Sequence, residues 1–228
     1  MSKFVDVIVK IDKSNNLQLL LKPAKFVYKY YLDLKLNLSI INEQFKGLDF
    51  TKQESLESLG LSKTTSNSYM AGSSGRVKHV LNKLNIKATD TILDFGCGKG
   101  KMLYVMSKYA FKQVDGVEIT NALSQIATNN LHKLGVKKSK IYNCDASDFK
   151  ELDLYNYFYF FNPFPGNVMA DVIGNIEDSN KKYPREITII YYVPNHENEI
   201  LKSGNFKKIF SYWDVYVYKN NLDLKSLS

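Results

Sequence analysis

From Lys87 onward, short apolar runs alternate with segments whose apolar residues recur at helical spacing. Apolar runs bounded by turn residues are typical of buried strands, and their alternation with helices indicates parallel strands covered on both faces. The predicted strands are Thr91–Phe95, Gln113–Glu118, Lys140–Cys144, Tyr157–Phe161 and Ile187–Val193. The predicted helices are Lys101–Tyr109, Asn121–Leu134 and Gly166–Asn180. This part of the chain is therefore predicted to have an α/β fold.

Two more strands are predicted near the carboxyl terminus, at Phe206–Tyr212 and Val215–Tyr218. Both segments are rich in aromatic and β-branched residues, which favour strands. Only Trp213 and Asp214 separate them, so we expect an antiparallel hairpin at the end of the fold.

The first 85 residues follow a different pattern. Apolar and polar residues alternate over 5–21 around the polar turn Asp12–Asn16, which predicts a β-hairpin. Ala24–Ile41 carries apolar residues at helical spacing, which predicts an amphipathic helix that belongs to a core or a lid. Phe45–Asn67 is polar and rich in Ser and Thr, which is typical of a linker. A further helix is predicted to run from Ser73 or Ser74, either of which can cap it, to Leu84.

A chain of 228 residues can form one main core and an accessory region. We therefore divide it into a hairpin and helical cap region, 1–65, and a main domain, 66–228. No apolar run approaches the ~18 residues that cross a bilayer, so neither a membrane span nor a signal peptide is predicted. The two cysteines, Cys97 and Cys144, form neither a disulfide framework nor a metal-binding pattern. The expected location is the reducing cytoplasm, and no metal is expected.

The formal net charge of +8 would suit an acidic partner such as a nucleic acid. Of the 31 basic residues, however, only Arg76 and Arg185 are arginines, the residue type that binds phosphates and guanine in a bidentate manner. The lysines are scattered along the chain. A solvated cationic surface is the simpler interpretation.

The most informative segment is Ile92–Lys101, in which an apolar strand leads into Gly96, Gly98 and Gly100 and then into a helix. Glycines permit positive φ angles and let a ligand approach the backbone, while the start of the helix offers unpaired N–H groups. This predicts a binding site for a small polar ligand, although such a turn can also serve only to bend the chain.

The spacing of the glycines and the nearby acidic residues restrict the classes of ligand that the turn can bind. A dinucleotide-binding turn needs its third glycine at the position of Lys101, and a phosphate-binding loop needs Ser or Thr where Met102 stands. Asp94, beside the turn, would repel a pyrophosphate but can pair with an ammonium group. Glu118 ends the next strand, where a carboxylate can accept both hydroxyls of a ribose, and Asp145 follows the third strand. Three acids are therefore expected at one edge of the sheet.

The segments Asp94–Gly100, Gly116–Ile119 and Cys144–Ala146 resemble successive motifs of the class I, Rossmann-like S-adenosylmethionine-dependent methyltransferases. The resemblance covers roughly residues 66–218. It implies a doubly wound, mostly parallel seven-stranded sheet with an antiparallel final hairpin. It also implies S-adenosyl-L-methionine as the cofactor.

The resemblance assigns roles to individual residues. The glycine turn would pass under the methionine part of the cofactor, Asp94 would serve its amino group, Glu118 would hold the ribose, and Asp145 would contact the adenine amine. The expected cofactor-binding residues are Tyr69, Asp94, Gly96, Cys97, Gly98, Gly100, Glu118, Ile119, Asp145, Ala146 and Asn162.

Asn162-Pro163-Phe164 follows the fourth strand at the same edge. The side-chain carbonyl of Asn162 and the backbone carbonyl of Pro163 can accept N–H bonds from an amine or amide, and Phe164 offers a face to a flat or cationic group. The segment resembles the Asn/Asp-Pro-Pro-aromatic motif of amino-directed methyltransferases, but Phe164 replaces the second proline, which weakens the case for a nucleobase acceptor. A rigid turn with a packing phenylalanine is the alternative.

A poorly characterised bacterial branch of these enzymes carries Asn-Pro-Phe after strand four and an ending of strand five similar to 191–196 here. It also has a short helical preface similar to Ser68-Tyr69 and Ser73-Ser74, which implies a cap with Tyr69 in contact with cofactor or substrate. An oxygen nucleophile would need a base, and His196 is the histidine at a strand end that is placed for this role. A lone histidine after Pro-Asn is, however, more often a capping or surface residue.

The sequence thus predicts a methyltransferase that acts on an amine, amide or hydroxyl, with Asn162, Pro163, Phe164 and His196 as the catalytic set. A small-molecule, glycan or protein acceptor is favoured over a nucleic acid. Two alternatives stay open: amino methylation of a nucleic acid, and a non-catalytic cofactor-binding protein that acts on a partner. The amino-terminal region could also support a homo-oligomer through edge-to-edge pairing.

Overall fold

The computed structural model describes residues 43, 45–50 and 74–221. The chain divides after Lys46 into two units, and the description below concerns the second, 47–228. The predicted amino-terminal hairpin, the predicted helix Ala24–Ile41 and the candidate contact Tyr69 lie outside the described residues. The same is true of most of the predicted linker and of any edge-to-edge pairing by the hairpin.

A single sheet of seven strands organises this unit. The strands are β1 Thr91–Phe95, β2 Gln113–Val117, β3 Ile141–Tyr142, β4 Tyr157–Phe161, β5 Thr188–Tyr192, β6 Phe206–Tyr212 and β7 Val215–Asn220. Their order in the sheet is β3-β2-β1-β4-β5-β7-β6. β1 to β5 pair in parallel, and β7 pairs antiparallel with both β5 and β6. The chain order reverses between β1 and β4, and ligands of doubly wound sheets bind at such a reversal.

Five α-helices and two short 3₁₀-helices connect the described strands. They are α1 Ser74–Leu81, α2 Lys101–Met106, α3 Asn121–Lys133, α4 Gly166–Lys182 and α5 Glu197–Leu201, with the 3₁₀-helices Ala146–Asp148 and Leu152–Leu154. None of the helices in the described part of the chain has both the length and the apolar character that a membrane span requires.

The core lies on both faces of the sheet, and β4 shows why. Phe158 and Phe160 belong to the apolar cluster under α4, whereas Tyr157 and Tyr159 belong to the cluster under α1 and α2. Successive side chains of a strand point to opposite faces, so an all-aromatic strand fills both clusters. The central aromatic run therefore has a packing role, as expected for a parallel strand that is covered on both sides.

The predicted fold class is confirmed, with small differences at the ends of elements. β3 is shorter than Lys140–Cys144 because the side chain of Asn143 donates to the carbonyls of Glu118 and Ile119, which draws the chain out of strand pairing. α2 ends at Met106, and the hydroxyl of the next residue, Ser107, donates to the carbonyl of Tyr104. β7 continues to Asn220, whose side chain accepts the N–H of Ile187 and donates to the carbonyl of Arg185.

Candidate functional site

The glycine turn, residues 96–100, connects β1 to α2 at the carboxyl edge of the sheet. Gly96, Gly98 and Gly100 have φ angles of 73°, 53° and 81°, in the left-handed region that disfavours side chains. The N–H groups of Gly96 and Cys97 both donate to the carbonyl of Val117, at 2.9 and 3.0 Å. The turn is therefore tied to the end of β2.

The glycine turn also touches the segment that follows β4. A Cβ atom on Gly96 would lie 2.6 Å from the Cβ of Pro163, which is closer than non-bonded carbon atoms approach. Gly96 is thus required by the close approach of two chain segments as well as by its backbone angle. This contact places the Asn162-Pro163-Phe164 motif beside the glycine turn.

Glu118 is buried at the end of β2 and binds two backbone N–H groups. Its Oε2 accepts from Gly98 at 2.9 Å, and its Oε1 accepts from Thr120 at 2.9 Å. Burial raises the pKa of Glu118, and the two N–H donors oppose this shift. An ionised carboxylate offers about four lone-pair sites, so two N–H donors leave capacity for hydroxyl groups.

Asp94 lies next to the turn with only 2% of its surface exposed. Burial, and to a smaller degree the charge of Glu118, raise its pKa well above the ordinary value of 3.8. None of the ion pairs formed among the described residues involves this carboxyl group. A buried carboxyl group in these surroundings would gain a favourable charge interaction from a cationic ligand.

Asp145 caps the 3₁₀-helix that follows β3. Its Oδ1 accepts both the N–H and the hydroxyl of Ser147, at 2.8 and 2.7 Å. Since one oxygen performs the capping, Oδ2 can accept a bond from a ligand amine. Asn143, which sequence reasoning did not single out, links this loop to the one after β2 through the carbonyls of Glu118 and Ile119.

These segments line an open cleft at the carboxyl edge of the sheet. Its lining includes seven of the residues predicted for the site, namely Gly96, Glu118, Ile119, Asp145, Ala146, Pro163 and Phe164, together with Val117, Cys144 and Val168. The other predicted site residues in the described part of the chain lie outside this lining, namely Asp94, Cys97, Gly98, Gly100, Asn162 and His196. Val117 and Val168 were not predicted, because an apolar residue that lines a cleft has the same sequence signature as a core residue.

Asn162 has a φ of 39°, which is unusual for any residue other than glycine. Asparagine tolerates this conformation better than most residues, so its position at a sharp turn after β4 has a local explanation. Phe164 is largely buried and packs edge-on against Phe160, with ring centroids 6.1 Å apart. It therefore supports the floor of the cleft in addition to lining it.

His196 lies at the start of α5, half-buried. A Cβ on Gly166 would be 3.1 Å from His196 Nδ1, so the imidazole packs on the first residue of α4. The backbone N–H of His196 faces the Tyr191 hydroxyl at 3.4 Å. The ring thus lies next to the helix that begins directly after the Asn162-Pro163-Phe164 motif.

Cys97 contributes its backbone to the glycine turn, while its side chain packs away from it. A Cβ on Gly116 would lie 2.6 Å from Cys97 Sγ. Burial, with the charges of Asp94 and Glu118, raises the pKa of the Cys97 thiol. Burial likewise raises the pKa of Cys144. Both thiols are therefore held protonated, which fits packing rather than nucleophilic chemistry.

Residues 86–185 match the protein-family model described as "Methyltransferase domain". The match covers somewhat less than half of the chain. It includes the glycine turn, Glu118, Asp145 and the Asn162 motif.

The curated proteins with related sequences include two methyltransferases. "Probable cobalt-precorrin-6B C(15)-methyltransferase (decarboxylating)" of Methanococcus vannielii is 34% identical over 109 residues, which cover 48% of this chain and 57% of that protein. "Histone-lysine N-methyltransferase, H3 lysine-79 specific" of Dictyostelium discoideum is 33% identical over 99 residues, which cover 38% of this chain and 5% of that protein. The chain thus spans a little over half of the first relative and a small part of the second.

A solved structure supports the fold. A protein of the NADB-Rossmann superfamily from Streptococcus agalactiae superposes with a TM-score of 0.50 at 18% identity, covering 68% of this chain and 73% of that chain. The likeness agrees with the doubly wound sheet described above.

Proposed function

We propose that this chain is an S-adenosylmethionine-dependent methyltransferase that transfers a methyl group to an amine, amide or hydroxyl, mainly by positioning the reactants. The observation that carries the proposal is one cleft lined by Gly96 of the glycine turn, Glu118, Asp145 and the Pro163-Phe164 pair. The methyltransferase domain matched by residues 86–185 contains all of them. Class I methyltransferases use S-adenosylmethionine as their methyl donor.

The residues at the cleft suit the chemistry of this cofactor. Asp94 is a buried carboxyl group outside the ion pairs of the described residues, and an ammonium group would favour its ionised form. Glu118 retains acceptor capacity for two ribose hydroxyls, and Oδ2 of Asp145 for an adenine amine. The acceptor-rich edge also explains why a pyrophosphate would be a poor ligand here.

S-adenosylmethionine supplies a methyl group that carries positive character because it is bonded to a sulfonium. The acceptor must then present a lone pair in line with the carbon–sulfur bond, and correct orientation alone lowers the barrier considerably. In our proposal the Asn162 side-chain carbonyl and the Pro163 backbone carbonyl accept N–H bonds from the acceptor, which directs its lone pair at the methyl group. The proton leaves an amine after transfer, whereas a hydroxyl needs a base, and His196 is our candidate for that role.

Nucleic-acid amino methylation is the second candidate, favoured by the net charge of +8. Both arginines of the chain, however, are engaged within the fold. Arg185 donates to the carbonyls of Leu152 and Tyr155, at 2.7 Å each. Arg76 pairs with Asp214 at 2.6 Å and lies over the Trp213 ring. We therefore favour a small-molecule, glycan or protein acceptor, and a cytoplasmic location, which the two free cysteines favour.

The test follows transfer of the methyl group without choosing an acceptor in advance. The protein is incubated with cofactor labelled in its methyl group and with fractionated lysate, and the label is followed into protein, nucleic acid, glycan and small metabolites. We expect label in one non-nucleic-acid fraction. At saturating cofactor, the Asn162→Ala variant should lose most of the transfer, since removing a positioning group acts on the chemical step.

Each other result has a definite meaning. Absence of cofactor binding by the folded protein would refute the proposal. Binding without transfer into any fraction would support the non-catalytic alternative. Undiminished transfer by Asn162→Ala would refute the orienting role of that residue while leaving the activity in place.

A further inference from the structure

Lys99, between the second and third glycines of the turn, has a completely buried side chain, with 0% exposed. Its ammonium group forms an ion pair with Asp49, in which Nζ lies 2.8 Å from Oδ1 and 2.9 Å from Oδ2. An ammonium group in the interior is strongly unfavourable without a carboxylate, so removal of one partner is much more damaging than replacement of both. The conformation of the turn at Lys99 therefore depends on Asp49.

Asn130 of α3 provides a second connection between the same two segments. Its Oδ1 accepts the backbone N–H of Asp49 at 3.1 Å, and its Nδ2 donates to the carbonyls of Asp49 at 2.9 Å and Lys99 at 3.0 Å. One buried amide thus holds the backbone on both sides of the ion pair. Its three bonds use the acceptor and both donors of the side chain.

The rest of the segment 47–50 is packed against α2 and α3. Leu48 and Phe50 are buried, and Phe50 stacks on Tyr104 of α2 with ring centroids 6.5 Å apart. Lys133 of α3 donates to the carbonyl of Gly47. The segment is therefore held by contacts with α2, α3 and Lys99 of the glycine turn.

We propose that residues 47–50 act as a positioning segment for the cofactor turn, in which Asp49, through Lys99, sets the affinity for the cofactor. Gly98 directly precedes Lys99, and its N–H donates to Oε2 of Glu118, the proposed ribose ligand. A shift of Lys99 therefore displaces both the turn and the carboxylate. This inference rests on the proposed function, since it concerns the affinity of the same site. Asp49 and Lys99 are positioning residues, not catalytic ones.

The test compares Asp49→Asn, the conservative Asp49→Glu and a control, Glu186→Gln, which removes a more exposed ion pair with Lys219. Calorimetry gives the dissociation constant for S-adenosylmethionine and for its demethylated product, and hydrogen exchange follows the amides of 96–101. We expect Asp49→Asn to weaken binding by roughly fivefold or more, within the usual range of coupling between sites. Exchange at 98–100 should accelerate, Asp49→Glu should recover part of the affinity, and the control should match the wild type.

A purely structural role predicts a different pattern. In that case Asp49→Asn lowers the thermal midpoint but leaves both dissociation constants and the exchange of 98–100 unchanged, and this result would overturn the proposal. If Asp49→Asn does not fold, the double variant Asp49→Leu/Lys99→Met removes both charges, a change that interiors tolerate better. Its affinity should still be reduced, and wild-type affinity would refute the role of the ion pair.

These measurements distinguish failure of the proposed function from failure of the positioning role of residues 47–50. If the folded wild type binds neither ligand, the proposed function is wrong. Hydrogen exchange then decides the positioning role without any ligand: unchanged exchange at 98–100 in Asp49→Asn refutes it, and faster exchange there supports it.

Discussion

At the scale of single residues, Gly96 provides the sharpest test of the site. Its φ of 73° and the 2.6 Å approach of its virtual Cβ to Pro163 both exclude a side chain. We expect Gly96→Ala to lose about 1–2 kcal/mol through the backbone conformation. Overpacking against Pro163 should cost a further ~1–3 kcal/mol. Urea denaturation measures the stability, and calorimetry should show weaker cofactor binding.

Gly174 is the matched control, because it lies inside α4 and a Cβ there would point into open space. Alanine is favoured over glycine in a helix by about 0.5–1 kcal/mol, so Gly174→Ala should be neutral or stabilising. If Gly96→Ala were as stable as Gly174→Ala, the result would contradict the close contact between the glycine turn and Pro163.

Asp94 gives the site a pH dependence. Its folded-state pKa is raised above 3.8, so the folded protein holds this proton to a higher pH than the unfolded chain does. The folded state therefore loses stability as pH rises from about 3.8 towards the raised value. An ammonium ligand favours the ionised form of Asp94, so cofactor affinity should increase with pH over the same window. At a pH below the raised pKa, binding of the cofactor should release a proton from Asp94.

Calorimetry in buffers of different ionisation enthalpy measures that proton release. Asp94→Asn should bind the cofactor more weakly and show a much reduced pH dependence, whereas Asp178→Asn, in an exposed ion pair, should match the wild type. A full pH dependence in Asp94→Asn would assign the titration to another group, with Glu118, whose pKa is also raised, as the first candidate.

At the scale of elements, a buried hydrogen-bond cluster holds the two-residue strand β3. Asp115 of β2 accepts the backbone N–H of Lys140 at 2.6 Å through Oδ1, and the Tyr155 hydroxyl at 2.6 Å through Oδ2. Burial and Asp115 raise the pKa of Tyr155, so its hydroxyl stays protonated and donates. Tyr155→Phe should destabilise the protein by about 1–3 kcal/mol, since it leaves a buried carboxylate oxygen without its donor.

Tyr183→Phe is the control for Tyr155→Phe, because Tyr183 is 49% exposed. It should change the denaturation midpoint little. Equal midpoints for the two variants would show that the bond to Asp115 contributes nothing to the stability of the sheet edge.

The strands predicted most accurately from the sequence are those whose ends are marked by residues next to them in the chain. β1, β4 and β6 have the predicted bounds, because dense apolar or aromatic runs end at turn residues. β3 was predicted too long, because its end is set by the bonds that Asn143 makes to a loop 24 and 25 residues away. Pattern reasoning detects turn residues but not partners that are distant in the sequence.

The same distinction applies to the site. The glycine turn and the acids at the strand ends follow from sequence order in a parallel sheet, since the carboxyl ends of the strands lie at one edge. The pairing of Lys99 with Asp49 could not be predicted, because the two residues lie 50 positions apart and Asp49 stands in a segment whose composition is typical of a linker. A lysine inside a glycine-rich turn would ordinarily be expected in solvent.

At the scale of the whole molecule, the net charge of +8 bears on the affinity for nucleic acids and on how that affinity depends on salt. Each phosphate neutralised by a Lys or Arg contributes about −0.9 to the slope of log affinity against log salt on duplex DNA. A protein that methylates nucleic acid would need a contiguous cationic surface and hence a steep slope. Here several lysines are paired within the fold, including Lys99 with Asp49, Lys208 with Glu197 and Lys219 with Glu186.

We therefore expect weak binding of duplex DNA and of RNA in filter-binding assays across a salt series, together with no transfer of label to either. Scattered lysines can still retain some nucleic acid at low salt, because that attraction does not depend on sequence. The decisive quantity is thus the combination of affinity and transfer. Tight binding at physiological salt with transfer to a base would reverse our preference for a non-nucleic-acid acceptor, and the Asn162→Ala variant would then separate recognition from chemistry on that substrate.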